Sequence, residues 1–488
     1  MSKIPAATEI VLSPRPQGLT LSRWLYDEIR RAILDGRLPR GTRIPGTRDF
    51  AVQQGISRRT VVTVFEQLQA EGYLTGRVGS GTVINETLPD DLLQVRASHR
   101  TPNTASKPEI VPYYGHPARP FRPNQVALDA FPMELWARIG SRRMRRISSS
   151  LLAGGNLAGY PPLRQAIAAY LGMSRGVNCT ADQIVITSGI QQGLDLAARL
   201  LLKRGDRIWI EDPAYPGASE AFRTAGARLV PVRVDERGLD PKIGRSVCPI
   251  ARAAYVTPAN QFPLGATMSL ERRLALLSWA RETGAWIIED DYDSEFRFMQ
   301  RPLAALQGLD TSEIVVFAGS FNKVLFPSLR LGYLVLPSAL VDPMLALRYR
   351  TDRYPAALPQ AILCDFIVEG HFGRHLRRMR ELYASRSGAL RENARRYLEG
   401  LLELPIIQSG LNTSAFLKDG TAPRQAEALL AKHGIESRAL DRFALRRRDL
   451  NGLLLGFGGF DEREIHRGVL ILAKVLAKSR PAFGDTGL

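Results

Sequence analysis

The pattern of apolar and polar positions divides the chain into a short helical stretch, a polar stretch and a long stretch of alternating elements. Between residues 19 and 85, Leu21, Leu25, Ile29 and Ile33 recur at a four-residue step. That step places the four side chains on one face of a helix. The first stretch therefore begins with an amphipathic helix.

Two more helices and a hairpin are predicted in the same stretch. A short helix fits residues 48–54 and is stopped by Gly55, and Ser57 is a favourable N-cap for a third helix. The runs 73–75 and 82–84 flank a glycine-rich turn, which predicts a β-hairpin. The first stretch is thus an all-α unit with a hairpin.

From about residue 119 the pattern alternates between strands and helices. Helical patterns such as 191–202 and 270–281 separate short apolar runs bounded by Gly, Pro or charge. The predicted strands are residues 184–186, 207–210, 253–256, 286–288 and 314–317. Short β-branched runs between helices favour a large parallel sheet with both faces covered. A weaker α/β pattern ending near Lys478 predicts a smaller C-terminal lobe.

Residues 86–118 lose this periodicity. The segment 100–108 is polar, contains proline and has almost no large apolar side chain, which predicts a linker. A loop packed on one domain is the alternative. The predicted organisation is a helical unit over 19–85, a linker over 86–118 and an α/β domain over 119–480.

Composition narrows the class of protein. The 488 residues include 66 Lys and Arg against 48 Asp and Glu, a net charge of +18. This excess favours a polyanionic partner, although a basic solvated surface is the alternative. Three cysteines, Cys179, Cys248 and Cys364, lie far apart without metal-ligand spacing, so no disulfide framework and no metal site is predicted. With neither a membrane-spanning apolar run nor a secretory signal, we expect a cytoplasmic protein without a membrane partner.

The third predicted helix carries candidate DNA contacts. Ser57, Arg58, Arg59 and Thr60 open this helix directly after a glycine turn. Two arginines and two hydroxyls at a helix N-terminus suit phosphate and guanine contacts, as in a helix-turn-helix. Arg77 on the hairpin would follow the adjacent DNA backbone as a wing. The alternative is a small solvated bundle whose arginines face water.

The same residues carry a family resemblance. Segments 44–50, 54–61 and 68–74, followed by Gly79-Ser80-Gly81-Thr82, occur in the order of the winged-helix domain of the GntR family, which they resemble. The resemblance implies a double-stranded DNA operator as partner. It also implies DNA contacts at Arg48, Arg58, Arg59, Thr60 and Gly79.

A carboxylate cluster and a lysine are the candidate chemistry of the long domain. Residues 287–295 begin as a buried strand and run into acidic residues, where Asp290 suits the pyridine nitrogen of pyridoxal phosphate (PLP) and Tyr292 its phenolic oxygen. Lys323, one of only nine lysines, follows the next apolar strand. Both groups would lie at one sheet edge, where ligands of α/β proteins bind. A solvated acidic loop and a lysine stem lying along apolar surface are the alternatives.

Phosphate donors complete this set. Gly189, Ile190 and Gln191 lie between a strand and a helix, where free N–H groups and the helix dipole hold a phosphate. Ser320 and Arg330 add hydroxyl and charged donors. A strand-glycine-helix turn is by itself a weak signal, because every α/β protein has such turns.

Residues 119–480 resemble type I aminotransferases, and the order with the winged helix first resembles the MocR subfamily of GntR regulators. The runs 288–296 and 261–265 resemble that subfamily in particular. The resemblance implies Lys323 as the Schiff-base lysine, Asp290 as the acid on the pyridine nitrogen and Tyr215 as the stacking ring. It also implies Asn260 as a hydrogen-bonding partner of the cofactor, although the neighbouring Gln261-Phe262 leaves two alignments of this asparagine open.

Two positions depart from the aminotransferase pattern. Leu454 stands where these enzymes place a carboxylate-binding arginine, which argues against a conventional α-amino-acid substrate. Gly154 stands where the fold usually supplies a phosphate-binding tyrosine from the partner subunit.

The resulting prediction is a PLP-dependent DNA-binding transcription regulator. It senses a small amine or amino compound, or PLP itself, through Lys323, and it forms a homodimer, as the resemblance implies. The alternative is a working aminotransferase with a vestigial DNA-binding domain.

Overall fold

The computed structural model divides the chain into two compact units, an N-terminal unit (Met1–Pro112) and a C-terminal unit (Tyr113–Leu488). The domain boundaries predicted at residues 85/86 and 118/119 stay a prediction. The structure describes residues 10, 12–77, 81–90, 116–298, 304–418 and 420–479. None of the helices within these ranges is long and apolar enough to cross a membrane.

The described residues of the N-terminal unit include three complete helices and a three-stranded antiparallel sheet of order β1-β3-β2. Its elements are α1 (Leu21–Leu34), β1 (Arg43–Ile44), α2 (Thr47–Gln54), α3 (Arg58–Ala70), β2 (Leu74–Arg77) and β3 (Gly81–Ile84). Strand β1 was not predicted, because two residues carry no alternation that a sequence pattern could reveal.

The predicted helix faces form the core of this unit. Leu25, Ile29 and Val61 are fully buried. Leu88, beyond the hairpin, is buried in the same core, and the Asp90 carboxylate accepts a hydrogen bond from Tyr73 Oη at 2.6 Å. The chain therefore packs on the helices up to residue 90.

The C-terminal unit consists of a large α/β part and a smaller lobe. Its helices are α4 (Met133–Arg145), α5 (Ser149–Leu152), α6 (Pro161–Arg175), α7 (Ile190–Leu201), α8 (Pro216–Thr224), α9 (Pro241–Val247), α10 (Leu270–Thr283), α11 (Ser338–Thr351), α12 (Ala357–Val368), α13 (His371–Tyr397), α14 (Pro423–Lys432) and α15 (Glu462–Ser479). Its strands are β4 (Ile184–Thr187), β5 (Arg207–Asp212), β6 (Arg228–Asp235), β7 (Gly238–Leu239), β8 (Ala253–Val256), β9 (Trp286–Asp291), β10 (Val315–Ser320), β11 (Gly332–Val335), β12 (Leu402–Glu403), β13 (Asn412–Leu417), β14 (Arg438–Ala439) and β15 (Gly452–Gly456).

The large sheet has eight strands in the order β4-β11-β10-β9-β8-β5-β6-β7. Strands β10, β9, β8, β5 and β6 are parallel, as predicted, whereas β11 runs antiparallel to both of its neighbours and β7 runs antiparallel to β6. The sheet is therefore mixed rather than wholly parallel. A short return from β10 to β11, without a crossover helix, permits only antiparallel pairing. The predicted fold class is confirmed.

The smaller lobe has a four-stranded antiparallel sheet of order β12-β13-β15-β14. Its core includes Leu390, Leu430, Leu453 and Leu472, all fully buried. Helices α13, α14 and α15 contribute three of these four side chains, so the helices cover the sheet.

The direction of the strands positions the candidate site. In the register of β9 and β10, Asp290 lies beside Ala318 and Asp291 beside Gly319. Strand β10 ends at Ser320, and Lys323 follows three residues later. The carboxyl ends of β4, β5, β8, β9 and β10 therefore share one edge of the sheet, where ligands of α/β proteins bind.

Candidate cofactor site and nucleic-acid interface

Asp290 is buried with one carboxylate oxygen engaged and the other free. Tyr255 Oη donates to Asp290 Oδ2 at 2.7 Å, whereas Oδ1 is buried and has no hydrogen-bond partner among the described residues. Burial raises the pKa of Asp290 to about 7, opposed by the hydrogen bond from Tyr255. An unpaired buried acceptor is unfavourable until a donor reaches it. The N–H of a pyridinium ring is such a donor.

Lys323 lies half-buried just beyond the end of β10, the strand that neighbours β9. Its Nζ donates to the backbone oxygen of Asn124 at 3.0 Å. Burial lowers the pKa of Lys323 to about 8, and the charge of Asp293 acts in the opposite direction. A lysine that loses its proton near neutral pH is a better nucleophile towards carbonyl groups.

The turn between β4 and α7 forms a cradle. Gly189 has φ +91°, and a Cβ at this position would lie 3.2 Å from Asn322 Nδ2 and 3.6 Å from Arg330 Nη1. Ser320 Oγ accepts a hydrogen bond from the backbone N–H of Asn322 at 3.2 Å. The N-terminus of α7, which begins at Ile190, thus converges with an amide and a guanidinium. Such donors bind phosphate.

Tyr215 lies close enough to both Asp290 and Arg330 for their charges to act on it. Burial raises the pKa of Tyr215, the charge of Asp290 raises it further, and the charge of Arg330 lowers it. Tyr215 Oη donates to Gln191 Oε1 at 3.3 Å, and Gln191 Nε2 donates to the backbone oxygen of Gly217 at 2.8 Å. Gln191 therefore holds the ring by its side chain, in addition to the backbone role predicted for it.

Asn260 and its neighbour Gln261 face different groups. Asn260 Nδ2 donates to Asp293 Oδ1 at 2.8 Å. Gln261 Nε2 instead donates to the backbone oxygen of Pro213 at 2.8 Å and to Glu211 Oε2 at 3.2 Å. Asn260 thus lies beside Asp293, three residues after the predicted Asp290, and its contact with the cofactor stays a prediction.

An aromatic cluster closes the site towards the smaller lobe. The ring of Phe262 lies 5.9 Å from that of Tyr215, 6.1 Å from that of Tyr292 and 5.2 Å from that of Phe443, between centroids and nearly perpendicular in each case. Burial raises the pKa of Tyr292 well above its usual range. Leu454 belongs to the same cluster and is buried.

Each of the two departures from the aminotransferase pattern has a large polar neighbour. Arg438 lies opposite Leu454 in the pairing of β14 with β15, and its Nη1 donates to Glu427 Oε1 at 3.0 Å. This guanidinium is therefore engaged in an ion pair. At Gly154, a Cβ would lie 3.1 Å from Tyr354 Oη, so the glycine leaves room for that tyrosine.

These observations test whether the residues fit PLP. The free oxygen of Asp290, the buried amine of Lys323, the ring of Tyr215 and the cradle at Gly189 match the pyridine nitrogen, the aldehyde, the ring face and the phosphate of the cofactor. The residues present fit the group.

The first turn of α3 is exposed and capped. Ser57 Oγ accepts a hydrogen bond from the backbone N–H of Thr60 at 3.1 Å, and its hydroxyl lies 2.8 Å from Thr60 Oγ1. Arg58 and Arg59 are exposed in this turn, as is Arg48 in α2. In the described part of the chain, no acid pairs with these three arginines.

The predicted wing is described only in part. Arg77 ends β2, but its side chain is outside what the structure describes. Gly79 lies outside the described residues. Their DNA contacts stay predictions.

Four residues that contact the predicted site residues were missed by the sequence analysis: Asn124, Tyr255, Asp293 and Asn322. Tyr255 lay in an apolar run that indicated only a strand, and Asn124 lies almost 200 residues before Lys323 in the chain. Asp293, by contrast, stands within the acidic run 287–295 and Asn322 directly precedes Lys323, so both were available from the sequence.

Two family models match the chain. The model "Bacterial regulatory proteins, gntR family" matches residues 21–84, and "Aminotransferase class I and II" matches residues 126–445.

Curated relatives share both parts. The Rhizobium meliloti protein named "Probable rhizopine catabolism regulatory protein MocR" is 39% identical over 469 residues, which are 93% of each chain. The pyridoxine biosynthesis transcriptional regulator PdxR of Corynebacterium glutamicum is 30% identical over 455 residues, 93% of this chain and 95% of its own.

Solved aminotransferases resemble the C-terminal unit. The kynurenine aminotransferase of Pyrococcus horikoshii, crystallised with PMP, has a TM-score of 0.69 at 26% identity and covers 74% of this chain and 91% of its own. The α-aminoadipate aminotransferase LysN of Thermus thermophilus has a TM-score of 0.68 at 26% identity, over 73% of this chain and 92% of its own.

Proposed function

Since the chain belongs to the MocR subfamily of GntR transcription regulators, we propose that an effector recognised at Lys323 controls how the N-terminal unit binds its operator. The protein is a DNA-binding transcription regulator with a PLP-dependent, aminotransferase-like domain. The effector in this proposal is a small amine or amino compound, or PLP itself. The cytoplasm, where operator DNA is accessible, is the proposed location.

One observation carries the cofactor part of this proposal. The buried, unpaired Oδ1 of Asp290 lies at the sheet edge that also carries Lys323. When bound, PLP supplies an aldehyde that condenses with primary amines and a ring that withdraws electrons. Asp290 would hold the pyridine nitrogen through Oδ1 while Tyr255 keeps Oδ2 in place.

The remaining residues would fix the orientation of the cofactor. Tyr215, held by Gln191, would lie against the ring. The N-terminus of α7, with Arg330 and Ser320, would bind the phosphate. Lys323 would present an amine that gives up its proton close to neutral pH, because burial lowers its pKa to about 8.

The exposed first turn of α3 supports the DNA part. Arg58 and Arg59 project from a capped helix N-terminus, where base edges and phosphates are reached in helix-turn-helix proteins. Arg48, Ser57 and Thr60 would add contacts, and the wing with Arg77 and Gly79 would follow the neighbouring backbone.

The alternative function is that of a catalytically active aminotransferase. Leu454 argues against it for α-amino acids, because a buried aliphatic side chain cannot bind a carboxylate. The experiment that separates the two functions measures sustained turnover with an amino donor and a keto acid beside retention on specific DNA. Regulation predicts specific DNA binding with little or no sustained turnover, whereas efficient turnover without specific DNA binding would support the enzyme.

We further propose a homodimer that binds two half-sites. A two-fold dimer presents two winged helices, and paired half-sites increase affinity when their spacing matches that of the proteins. Light scattering should give twice the 54.0 kDa of one chain. A stable PLP-loaded monomer that binds a single half-site with full affinity would contradict the dimer.

A further inference from the structure

Asp293 is a buried carboxylate to which the proposed function assigns no role. It follows Asp290 by three residues, and only 1% of it is exposed. Its Oδ1 accepts the hydrogen bond from Asn260 Nδ2 at 2.8 Å. A Cβ at Gly410 would lie 2.7 Å from both Asn260 Nδ2 and Asp293 Oδ2, so the pair lies directly against the backbone of this glycine.

The same short segment leads to Lys323. Asn412, two residues after Gly410, accepts a hydrogen bond from the backbone N–H of Asn124 at 2.7 Å through its Oδ1. The backbone oxygen of Asn124 in turn accepts the hydrogen bond from Lys323 Nζ at 3.0 Å. Residues 410–412 therefore contact Asp293 at one end and, at the other, the asparagine that holds the amine of Lys323.

The other acids of this run have partners of their own. Glu289 accepts from the backbone N–H groups of Leu306 and Gln307, both at 2.8 Å. Arg175 Nε donates to Asp291 Oδ2 at 2.8 Å. Asp290 is held by Tyr255 on one oxygen, as described above.

Glu295 accepts from Tyr170 Oη at 3.2 Å. The groups that act on Asp293 are its hydrogen-bond donor Asn260, the like charges of Asp291 and Glu295, and the opposite charge of Lys323. The acid that acts on Lys323 is Asp293.

We propose that Asp293, oriented by Asn260, is a positioning residue that serves as the counter-charge of Lys323 and thereby sets the pH at which this lysine reacts. This proposal rests on the proposed role of Lys323 as the residue that binds PLP.

The ionisation of the two groups supports the geometry. Burial raises the pKa of Asp293 to about 7 and lowers that of Lys323 to about 8, so the two values approach each other. Asp293 therefore loses its proton at a lower pH than Lys323 and carries a negative charge while the lysine titrates. Removal of the carboxylate leaves the lysine only the effect of burial, which lowers its pKa further.

The test measures the rate at which PLP attaches to the full-length, cofactor-free protein as a function of pH. Attachment is followed by visible absorbance, and borohydride reduction identifies the modified peptide. We expect a midpoint near pH 8 for the wild type and a midpoint about one pH unit lower for Asp293→Asn. Asp293→Glu keeps the negative charge, so its midpoint should lie close to that of the wild type.

Glu295→Gln is the matched control, because it removes a half-buried acid of the same run that acts on Asp293 but not on Lys323, and it should leave the midpoint within about 0.3 pH units of the wild type. An unchanged midpoint in Asp293→Asn, in protein that retains its circular dichroism spectrum and operator binding, would overturn the proposal. If Asp293→Asn does not fold, the variant Asn260→Ala tests the proposal instead. It removes the hydrogen bond that lowers the pKa of Asp293, so the midpoint must fall in the same direction and by less.

The two hypotheses fail differently. If borohydride fixes no pyridoxyl group on Lys323 of the wild type, the proposed function fails. If Lys323 is modified but its pH midpoint does not respond to Asp293, only the present inference fails.

Discussion

The two candidate sites differ in how their charges are placed. In the N-terminal unit, Arg58 and Arg59 are neighbours in one exposed helical turn without an acidic partner among the described residues. In the C-terminal unit, Asp290 is buried and Lys323 is half-buried; they come from different strand ends and have shifted pKa values. The first site is suited to a partner that brings its own counter-charge, and the second to a ligand that completes a preformed set of contacts.

This difference predicts different responses to solution conditions. Exposed arginines that neutralise phosphates release counterions, so operator binding should weaken steeply as salt increases. Buried charges are screened much less, so cofactor binding should depend on pH more than on salt. For a variant of one unit, the binding activity of the other unit (DNA binding or PLP binding) therefore serves as an internal control.

Replacement of Lys323 should have the largest effect. In Lys323→Ala, borohydride reduction should fix no pyridoxyl group, because the primary amine that attaches the cofactor is absent. Peptide mapping by mass spectrometry measures this directly. The exposed Lys242→Ala is the control and should retain wild-type modification. A pyridoxyl group found on another lysine of the wild type would show that the site is misplaced.

Loss of charge at Asp290 should be the next largest effect. Asp290→Asn leaves a pyridinium without its anionic partner, and removal of one member of a buried charge pair typically costs about 2–5 kcal/mol. Affinity for PLP, measured by fluorescence titration, should therefore fall by a factor of about 30 or more. Tyr255→Phe, which removes only the bond to Oδ2, should have a smaller effect. Equal PLP affinity in Asp290→Asn and wild type would contradict the assignment.

Substitutions in α3 should affect only the other unit. Arg58→Ala and Arg59→Ala should each cost about 1–3 kcal/mol in specific DNA binding if they make bidentate base contacts. The absorbance of bound PLP should stay unchanged. Arg23→Ala, at an exposed arginine that pairs with Asp27, is the control. Wild-type operator affinity in the double variant would remove α3 from the interface.

Loss of the helix cap should have the smallest effect. Ser57→Ala removes the acceptor for the backbone N–H of Thr60 and should destabilise the N-terminal unit by about 1 kcal/mol. Hydrogen exchange of α3 amides should speed up accordingly, whereas exchange in β9 and β10 should not change. Equal acceleration in both units would mean that they unfold as one cooperative body.

The comparison also explains what could be predicted from the sequence. The cap at Ser57 and the buried face with Val61 depend on residues close together in the chain, so their pattern was sufficient. The cofactor site could be predicted only together with a fold. Asp290 and Lys323 were predicted because both follow apolar strands of an α/β sheet. Tyr255 was missed because only the pairing of β8 with β9 brings its hydroxyl to Asp290.

Short and antiparallel strands were beyond the pattern as well. Strand β1 has only two residues. Strand β11 pairs antiparallel with β10, although the sequence pattern of this part of the chain predicts parallel strands. A strand of two residues is too short to show an alternation of apolar and polar positions. The direction of β11 cannot be predicted from such a pattern either, because it is set by the connection to β10 and not by the side chains. The predicted site residues and domain boundaries remain to be tested by the variants above.

The central claim is that chemistry at Lys323 controls operator binding, and its most direct test is the affinity of the PLP-loaded protein for an operator selected from random DNA. Fluorescence anisotropy is recorded with and without a panel of primary amines and amino acids, in parallel for the wild type and Lys323→Ala. We predict that at least one amine changes the affinity of the wild type by a factor of about 5 or more and leaves that of Lys323→Ala unchanged. An identical response of both proteins would contradict the account.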